Sequence, residues 1–226
     1  MNYIRKRVLS GELVSGTWCN LASSISVEIT AQAGFDWILL DLEHGANEIN
    51  HLIPQLQAIQ GTDAVPIVRI RWNELPSYKR VLDLGASGVM VPYVNTPGQA
   101  EEVVKSMLYP PDGIRGVAGA TRATAYGVEK DQYLANANDR LLTVVQIESP
   151  EAIENSEAIA AVPHVDVLFI GPMDLSTNMG IQGQATHPDF KKATARMIAA
   201  CKTNGKAAGI LLKDKSELQS AVDEGY

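Results

Sequence analysis

Cysteine and long apolar runs are both scarce in this sequence. Only two cysteines occur among its 226 residues, and Cys19 and Cys201 lie far apart, without the spacing of a metal site. We expect two reduced thiols in or near the core, as is usual for a cytoplasmic protein. No apolar run approaches the roughly 18 residues of a membrane span, and the N-terminus lacks the apolar segment of a secretory signal. The sequence therefore predicts a cytoplasmic protein with no membrane segment.

Basic residues are too few and too scattered for a nucleic-acid partner. Lys and Arg number 19 against 26 Asp and Glu, the net charge is −7, and no basic stripe is visible. Hydrophobic residues make up 46% and charged residues 20%, an ordinary composition for a globular protein. The length is within the range of one α/β barrel or one doubly wound domain. We therefore expect small-molecule partners and no nucleic acid.

Short apolar runs rich in β-branched residues recur along the chain, and each is followed by a helical pattern. Most of the runs are nearly continuous, as in parallel strands covered on both faces. Strands are predicted at 14–19, 37–42, 66–70, 88–94, 141–147, 165–170 and 207–212. Helices are predicted at 23–33, 47–60, 75–84, 97–108, 150–161, 188–204 and 215–224. The alternation predicts right-handed βαβ units, interrupted by a long Gly- and Pro-rich loop at 109–130.

Seven such units are one short of a closed barrel. The last predicted helix ends at Glu224 and is followed by Gly225, and earlier units lead into their next strand in the same way, as at Gly34 and Gly85. An open barrel would leave two unpaired strand edges, which proteins avoid. The sequence therefore predicts an α/β fold, a (β/α)8 TIM barrel, as one domain over residues 1–226. The eighth unit is expected to be missing and the C-terminal end incomplete.

Ionisable side chains fall at the carboxyl ends of four predicted strands. They are Asp41 and His44 after the second strand, Arg69 at the third, Glu148 after the fifth and Asp174 after the sixth. In a parallel barrel these strand ends converge on one face, where active sites are built. The sequence therefore predicts one functional constellation.

The residue types in this constellation favour enolate chemistry. Glu148 and Asp174 offer hard oxygen ligands with no Cys or paired His nearby, which suits Mg²⁺ or Mn²⁺ better than structural zinc. A 2-oxo acid would chelate such a metal, and its enolate would then be stabilised. Arg69 adds a fixed cation near the developing charge. His44, oriented by Asp41, is expected to act as the general base or acid.

Each residue also has a simpler structural interpretation. Glu148 is an alternative N-cap of the following helix, although Ser149 is the better cap, and Asp174 is an alternative N-cap of a short helix directly after it. Arg69 could be a structural ion-pair partner, and His44 could be a surface histidine of a loop. The functional interpretation depends on all of them acting together.

Five stretches, in order along nearly the whole chain, carry a family resemblance. They are AGFDWILLDLEHG (33–45), PIVRI (66–70), YPPDGIRGV (109–117), VQIES (145–149) and LFIGPMDLS (168–176). They resemble the HpcH/HpaI aldolase family of class II pyruvate aldolases, which includes 4-hydroxy-2-oxoheptanedioate and 2-dehydro-3-deoxyglucarate aldolases. The resemblance implies a barrel of the phosphoenolpyruvate/pyruvate type, usually a homo-oligomer, a hexamer. It also implies pyruvate and an aldehyde as substrates, a divalent metal ion (Mg²⁺, Mn²⁺ or Co²⁺) and no organic cofactor.

The resemblance implies a role for each residue at the reacting centre. Glu148 and Asp174 are similar to the family's metal ligands. Arg69 resembles the arginine that stabilises the enolate oxygen. His44 resembles the catalytic histidine, with Asp41 as its partner.

Further positions are implied to bind substrate. Gln146 resembles a glutamine beside the metal, and the backbone amides near Met173 and Asp174 are implied to bind the pyruvate carboxylate. Leu211 matches a position in the aldehyde pocket. Asp83 is implied to reach the site of a neighbouring subunit.

Three other functions compete with this one. A Schiff-base aldolase would need a lysine at the barrel mouth, and Lys213 is the candidate because Lys206 lies at the opposite end. A lyase or synthase of the same superfamily would act on another 2-oxo acid or a CoA ester. A non-catalytic binding protein is also compatible with the fold alone.

Overall fold

The structure contains all seven strands that the sequence predicts. It is a computed structural model and describes residues 2–226. The strands are β1 (Gly16–Cys19), β2 (Trp37–Asp41), β3 (Val65–Arg69), β4 (Gly88–Val91), β5 (Leu142–Ile147), β6 (Val167–Ile170) and β7 (Ala207–Ile210). All lie inside the predicted ranges except β3, which begins one residue earlier. Strands β2 to β6 are almost entirely buried, which explains their continuous apolar runs.

Eleven α-helices occur in the described part of the chain. They are α1 (Arg5–Leu9), α2 (Ser24–Ala31), α3 (Leu52–Ile59), α4 (Leu75–Asp83), α5 (Pro97–Met107), α6 (Lys130–Arg140), α7 (Pro150–Glu154), α8 (Ser156–Ala160), α9 (Pro172–Asn178), α10 (Pro188–Asn204) and α11 (Leu218–Glu224). Short 3-10 helices add Ile49–His51, Arg122–Gly127 and Lys215–Glu217.

The predicted helices are present, with local differences. Helix α10 has the predicted bounds, whereas the helix predicted at 150–161 divides at Asn155 into α7 and α8. Helices α1 and α6 are not predicted from the sequence, and α9 is predicted only as the short helix of the N-cap alternative for Asp174. In α6 only Tyr133 and Ala137 are buried, so the apolar periodicity that would have indicated a helix is weak.

The first of two compact units contains the residues up to Val91 and Val103–Thr143. Strands β1 to β4 pair there in chain order, all parallel. The register places Asp41, the last residue of β2, opposite Arg69, the last residue of β3. Within this unit the start of β5 lies beside the start of β4. The amide of Leu142, the first residue of β5, donates at 3.1 Å to the carbonyl of Ser87, which directly precedes β4.

The second unit contains Pro92–Glu102 and Val144–Tyr226. Strand β5 pairs with β6 and β6 with β7, again in parallel. Because Ile147 lies opposite Ile170, the residues that follow them, Glu148 and Gly171, leave the two strands side by side. The seven parallel strands follow one another in chain order, which confirms the α/β class. The single domain, the closed barrel and the missing eighth unit stay predictions.

Both cysteines are free and buried, in agreement with the sequence analysis. Burial raises the pKa of the Cys201 thiol to about 12 and also raises the pKa of Cys19. A thiol with a raised pKa has little of the reactive thiolate. Within residues 2–226, none of the helices combines the length and the apolar character needed to cross a membrane.

Gly88 begins β4 at a point where the neighbouring strand leaves no room for a side chain. An added Cβ would lie 2.7 Å from the carbonyl oxygen of Leu142 and 2.8 Å from Cδ1 of Ile67. We expect Gly88→Ala to lower the free energy of unfolding in urea by about 1–3 kcal/mol, as overpacking does. Gly98→Ala is the control, since its Cβ would meet only Oγ1 of Thr96, at 3.9 Å. An equal loss in both variants would contradict the steric explanation.

Candidate active site

Arg69 and Asp41 form a bidentate ion pair at the ends of β3 and β2. Nε of Arg69 donates to Oδ1 of Asp41 at 2.8 Å, and Nη2 donates to Oδ2 at 2.7 Å. Both residues are buried, with Asp41 1% and Arg69 7% exposed. The planar guanidinium meets the carboxylate through two parallel hydrogen bonds, and this geometry fixes the orientation of the guanidinium. The parallel register of β2 and β3 is what brings the two side chains together.

Glu43 is a second carboxylate on the same arginine. Its Oε2 lies 3.1 Å from Nη1 of Arg69, and its side chain is largely buried. No role is predicted for Glu43 from the sequence. The residue follows Asp41 by two positions, a spacing that returns a side chain to the same side of an extended chain, and this spacing could have identified it. Arg69 is thus held from two sides by acidic groups.

Asp41 also shapes the loop that follows β2. Its Oδ1 accepts the backbone amides of Glu43 at 3.0 Å and His44 at 3.3 Å. Such a bond from an aspartate to the amide two residues later stabilises a turn. The carboxylate therefore organises both the arginine and the chain around it.

The predicted contact between Asp41 and the imidazole of His44 is not formed. Asp41 reaches only the His44 backbone, because Arg69 and the loop amides occupy its oxygen atoms. The His44 side chain is 69% exposed, and its Nε2 lies 3.9 Å from Oε1 of Glu43. The predicted partners are neighbours in sequence, whereas the strand register brings Asp41 together with a charged residue 28 positions away. Glu43 is the carboxylate near the imidazole.

The loop that carries His44 is anchored to the end of β1. Gly45 has φ +131°, and an added Cβ would lie 2.7 Å from Asn20, so the two segments pack closely. The Ala46 amide donates to the Asn20 carbonyl at 3.0 Å. Asn47 donates from Nδ2 to the Cys19 carbonyl at 2.8 Å. These bonds fix the backbone of the loop that contains the exposed His44.

Glu148, in the second unit, has a buried carboxyl group, and each of its two oxygen atoms accepts a hydrogen bond from an N–H group. Its Oε1 accepts from Nε2 of Gln146 at 2.8 Å. Its Oε2 accepts from the backbone amide of Tyr93 at 3.1 Å. Gly171 lies against it, since an added Cβ there would be 2.4 Å from Oε1. The structure therefore brings Gln146 and Glu148 together and makes Gly171 a steric requirement of the site.

The N-cap alternative for Glu148 is wrong. Ser149 is the N-cap of α7, and its Oγ accepts the Ala152 amide at 3.1 Å. Glu148, one residue before the cap, takes no part in that hydrogen bond. Its burial therefore has a cause other than capping of α7.

The N-cap alternative for Asp174 is also wrong. Helix α9 begins at Pro172 with Gly171 at the N-cap position, so Asp174 is in the first turn of the helix. A carboxylate in the first turn is favourable toward the helix dipole. Met173 beside it is 48% exposed, and Leu211, whose amide donates to the Ile170 carbonyl at 3.4 Å, is 45% exposed.

The donor chemistry of Glu148 and Asp174 fits a hard divalent cation. Both offer carboxylate oxygens, and Glu148 is oriented by its donors and accommodated by the absent side chain of Gly171. Across residues 2–226, no three or more His, Cys, Asp or Glu side chains are grouped so that they could hold a metal ion. The predicted site uses two carboxylates, with water and substrate as the other ligands, so this finding does not contradict it.

The long predicted loop is tied to the first unit by Arg115. This buried side chain donates from Nη2 to Oδ1 of Asp83 at 2.6 Å and lies over the Tyr109 ring, 4.3 Å from its centroid. Burial raises the pKa of Tyr109 to about 12, so the phenol stays neutral. Asp83 thus has a partner within its own chain. Its predicted role at a neighbouring subunit's site stays a prediction.

Comparison with known proteins decides the family. The model described as HpcH/HpaI aldolase/citrate lyase matches residues 14–226. The chain belongs to this family. It is 40% identical over 224 residues to a 5-keto-4-deoxy-D-glucarate aldolase of Klebsiella pneumoniae subsp. pneumoniae, over 99% of this chain and 87% of that one.

Solved structures of HpcH/HpaI proteins have the same fold. A HpcH/HpaI aldolase/citrate lyase family protein from Burkholderia cenocepacia J2315 superposes with a TM-score of 0.96 at 39% identity, over 100% of this chain and 90% of that one. An HpcH/HpaI aldolase from Desulfitobacterium hafniense DCB-2 gives a TM-score of 0.92 at 31% identity, with coverage of 100% and 88%. The predicted family and the predicted carbon–carbon lyase of the pyruvate aldolase type are confirmed. The alternative activity on a CoA ester is not favoured.

The partner of Asp41 can be tested by its effect on stability. Asp41→Asn places an amide against the buried Arg69 and removes one of the two carboxylate charges beside it, the one in the bidentate pair. We expect the free energy of unfolding to fall by roughly 3 kcal/mol, as when a buried ion pair is broken. His44→Ala changes an exposed side chain and is expected to alter it by no more than about 0.5 kcal/mol. Equal losses in urea denaturation would instead support coupling of Asp41 to the imidazole.

Proposed function

We propose that this chain cleaves 4-hydroxy-2-oxo acids to pyruvate and an aldehyde, and forms them in the reverse direction. The observation that carries the proposal is the 40% identity to a 5-keto-4-deoxy-D-glucarate aldolase over 99% of the chain. That relative's substrate, counted from its oxo end, has a carboxylate, a ketone, a methylene and a hydroxyl-bearing carbon in turn. Breaking the bond between the methylene and the hydroxyl-bearing carbon releases pyruvate, so substrates of this class are the ones to test.

Glu148 and Asp174 are the residues proposed to hold a divalent cation, Mg²⁺, Mn²⁺ or Co²⁺. Carboxylate oxygens are the ligands that such ions prefer. When bound, the cation supplies Lewis acidity toward the oxygen atoms of the 2-oxo acid. Gln146 supports the proposal because its amide fixes one oxygen of Glu148. No organic cofactor is part of the proposed reaction.

Arg69 and His44 are proposed to act on the substrate directly. Cleavage breaks the C3–C4 bond, and its electron pair passes into the enolate of pyruvate. Arg69 would stabilise the negative charge on the enolate oxygen, and its fixed orientation on Asp41 limits the reorganisation needed. His44 would accept the C4 hydroxyl proton and return it during addition, for which its exposed imidazole is suited.

Other parts of the site are proposed from the family resemblance. Backbone amides near Met173 and Asp174 would bind the pyruvate carboxylate, and Leu211 would contact the aldehyde portion. Both Met173 and Leu211 are exposed enough to meet a ligand. A homo-oligomer, a hexamer, is the proposed assembly, and the cytoplasm is the proposed location.

A coupled assay tests the reaction itself. Pyruvate release from a panel of 4-hydroxy-2-oxo acids would be followed with lactate dehydrogenase, with EDTA or with Mg²⁺, Mn²⁺ or Co²⁺ added. We expect turnover that EDTA abolishes and metal restores. Turnover in EDTA, together with covalent trapping of pyruvate by borohydride, would support the Schiff-base alternative at Lys213. Absence of turnover under every condition would favour a non-catalytic binding protein.

The metal assignment predicts loss of binding after a change that keeps side-chain size. Glu148→Gln places an amide where the donors of Gln146 and Tyr93 now meet carboxylate oxygens. We expect Mn²⁺ affinity, measured by calorimetry, to fall more than about tenfold, because even loss of a residue that only orients a ligand typically costs that much. Asp174→Asn should show the same loss. The matched control is Glu151→Gln on the exposed first turn of α7, and an equal loss there would contradict the assignment.

The role proposed for Arg69 predicts that a positive charge alone at this position does not support retro-aldol activity. Arg69→Lys keeps a cation but loses the planar set of guanidinium N–H donors, which bind Asp41 and are proposed to face the substrate. We expect the retro-aldol kcat/KM to fall well beyond tenfold, or about 1.4 kcal/mol of barrier. Arg71→Lys is the control, because Arg71 is half exposed and paired with Glu48. A loss below tenfold for Arg69→Lys would make its role purely structural.

A further inference from the structure

Tyr93 has a backbone conformation that a large side chain rarely adopts. Strand β4 ends at Val91, and two residues later Tyr93 has φ +51°, in the left-handed region. A non-glycine residue is disfavoured there because Cβ approaches the following carbonyl oxygen. Residues of this kind persist only where the surrounding structure determines them, and they concentrate at functional sites.

The amide of Tyr93 makes a contact that explains the conformation. It donates to Oε2 of Glu148 at 3.1 Å, opposite to the Gln146 donor on Oε1. Gln146 and Tyr93 thus each donate to one oxygen of the Glu148 carboxyl group, and Gly171 lies close beside Oε1. Four other non-glycine residues in residues 2–226 have positive φ, namely Ala22, Ala125, Tyr126 and His164, and none of them donates its amide to a carboxylate.

The segment after Tyr93 is fixed on its far side by a set of hydrogen bonds. The Val94 amide donates to the carbonyl of Gln146 at 3.2 Å. Asn95 accepts from Oγ of Ser149 at 2.6 Å and from Nδ2 of Asn155, through its carbonyl, at 2.8 Å. These bonds join the segment to the residues directly around Glu148, so the chain cannot relax at Tyr93 without breaking them.

The side chain of Tyr93 makes a separate and weaker contact. Its hydroxyl accepts from Nδ2 of Asn178 at 3.4 Å, at an exposed position. The same Asn178 nitrogen donates to the Glu148 carbonyl at 2.8 Å. A role for the phenol is therefore the competing explanation for a tyrosine at this position, and substitutions can separate the phenol from the backbone amide.

We propose that Tyr93 is a positioning residue whose left-handed backbone directs its amide onto Glu148 and thereby sets the affinity of the metal site. This inference rests on the proposed function, in which Glu148 is a metal ligand. The amide and the Gln146 side chain leave the carboxylate one orientation, so the ligand does not have to be reorganised when the cation arrives. Partners that orient a metal ligand in this way commonly contribute about 10–100-fold to metal affinity.

Three substitutions at Tyr93 test the proposal through Mn²⁺ affinity, measured by calorimetry on the full chain, alongside kcat and KM. Tyr93→Val carries a β-branched side chain that resists positive φ, and we expect it to weaken Mn²⁺ binding at least about tenfold. Tyr93→Gly tolerates the conformation, and Tyr93→Phe lacks only the hydroxyl. Both are expected to stay within about threefold of the unaltered protein.

The matched control is His164→Val, which puts the same side chain at another left-handed position of the second unit, φ +63°. We expect it to lose stability in urea as Tyr93→Val does but to keep Mn²⁺ affinity. Unchanged affinity in Tyr93→Val would overturn the proposal, as would equal losses in His164→Val or in Tyr93→Phe. If the unaltered protein binds no Mn²⁺, the proposed metal site itself fails; if it binds Mn²⁺ normally and Tyr93→Val does too, only the role of Tyr93 fails.

Discussion

A carboxyl group can be buried only if hydrogen bonds or an opposite charge replace the water it loses, and this constraint organises both polar clusters of the protein. Asp41 and Glu148 are almost completely buried at the ends of strands. Leaving such a group without donors would cost several kcal/mol, on the order of the whole stability of a domain. The chain around each carboxyl group is therefore built to supply donors, and most of the unusual backbone features near them follow from that need.

The two clusters satisfy the constraint in different ways. Asp41 receives a guanidinium through two hydrogen bonds, together with two loop amides, so it serves as a fixed base on which Arg69 is aligned. Glu148 receives an amide N–H from Gln146 and a backbone N–H from Tyr93. Both of these donors are neutral N–H groups, one on each oxygen of the carboxyl group. The two arrangements agree with the roles proposed for Arg69 toward substrate and for Glu148 as a metal ligand.

Close backbone approach is the second feature that both clusters share. Gly45 lets the loop after β2 pack on Asn20, and Gly171 leaves space for the oxygen of Glu148. Tyr93 reaches a comparable result with a left-handed conformation that the hydrogen bonds of Val94 and Asn95 maintain. A side chain added at either glycine would displace a polar group rather than fill a space. These positions therefore limit which substitutions the clusters tolerate.

The sequence by itself determined the seven strands, most of the helices, the family and the residue types at the strand ends, because periodicity and motifs are local properties of the chain. It did not determine which polar groups meet. The sequence predicts His44, three positions away, as the hydrogen-bond partner of Asp41, but the register of β2 and β3 makes Arg69 its partner. Glu43 and Tyr93 were missed, since one is a contact across strands and the other acts through its backbone amide. Hydrogen-bond partners depend on strand register and on φ, and only the tertiary structure fixes these.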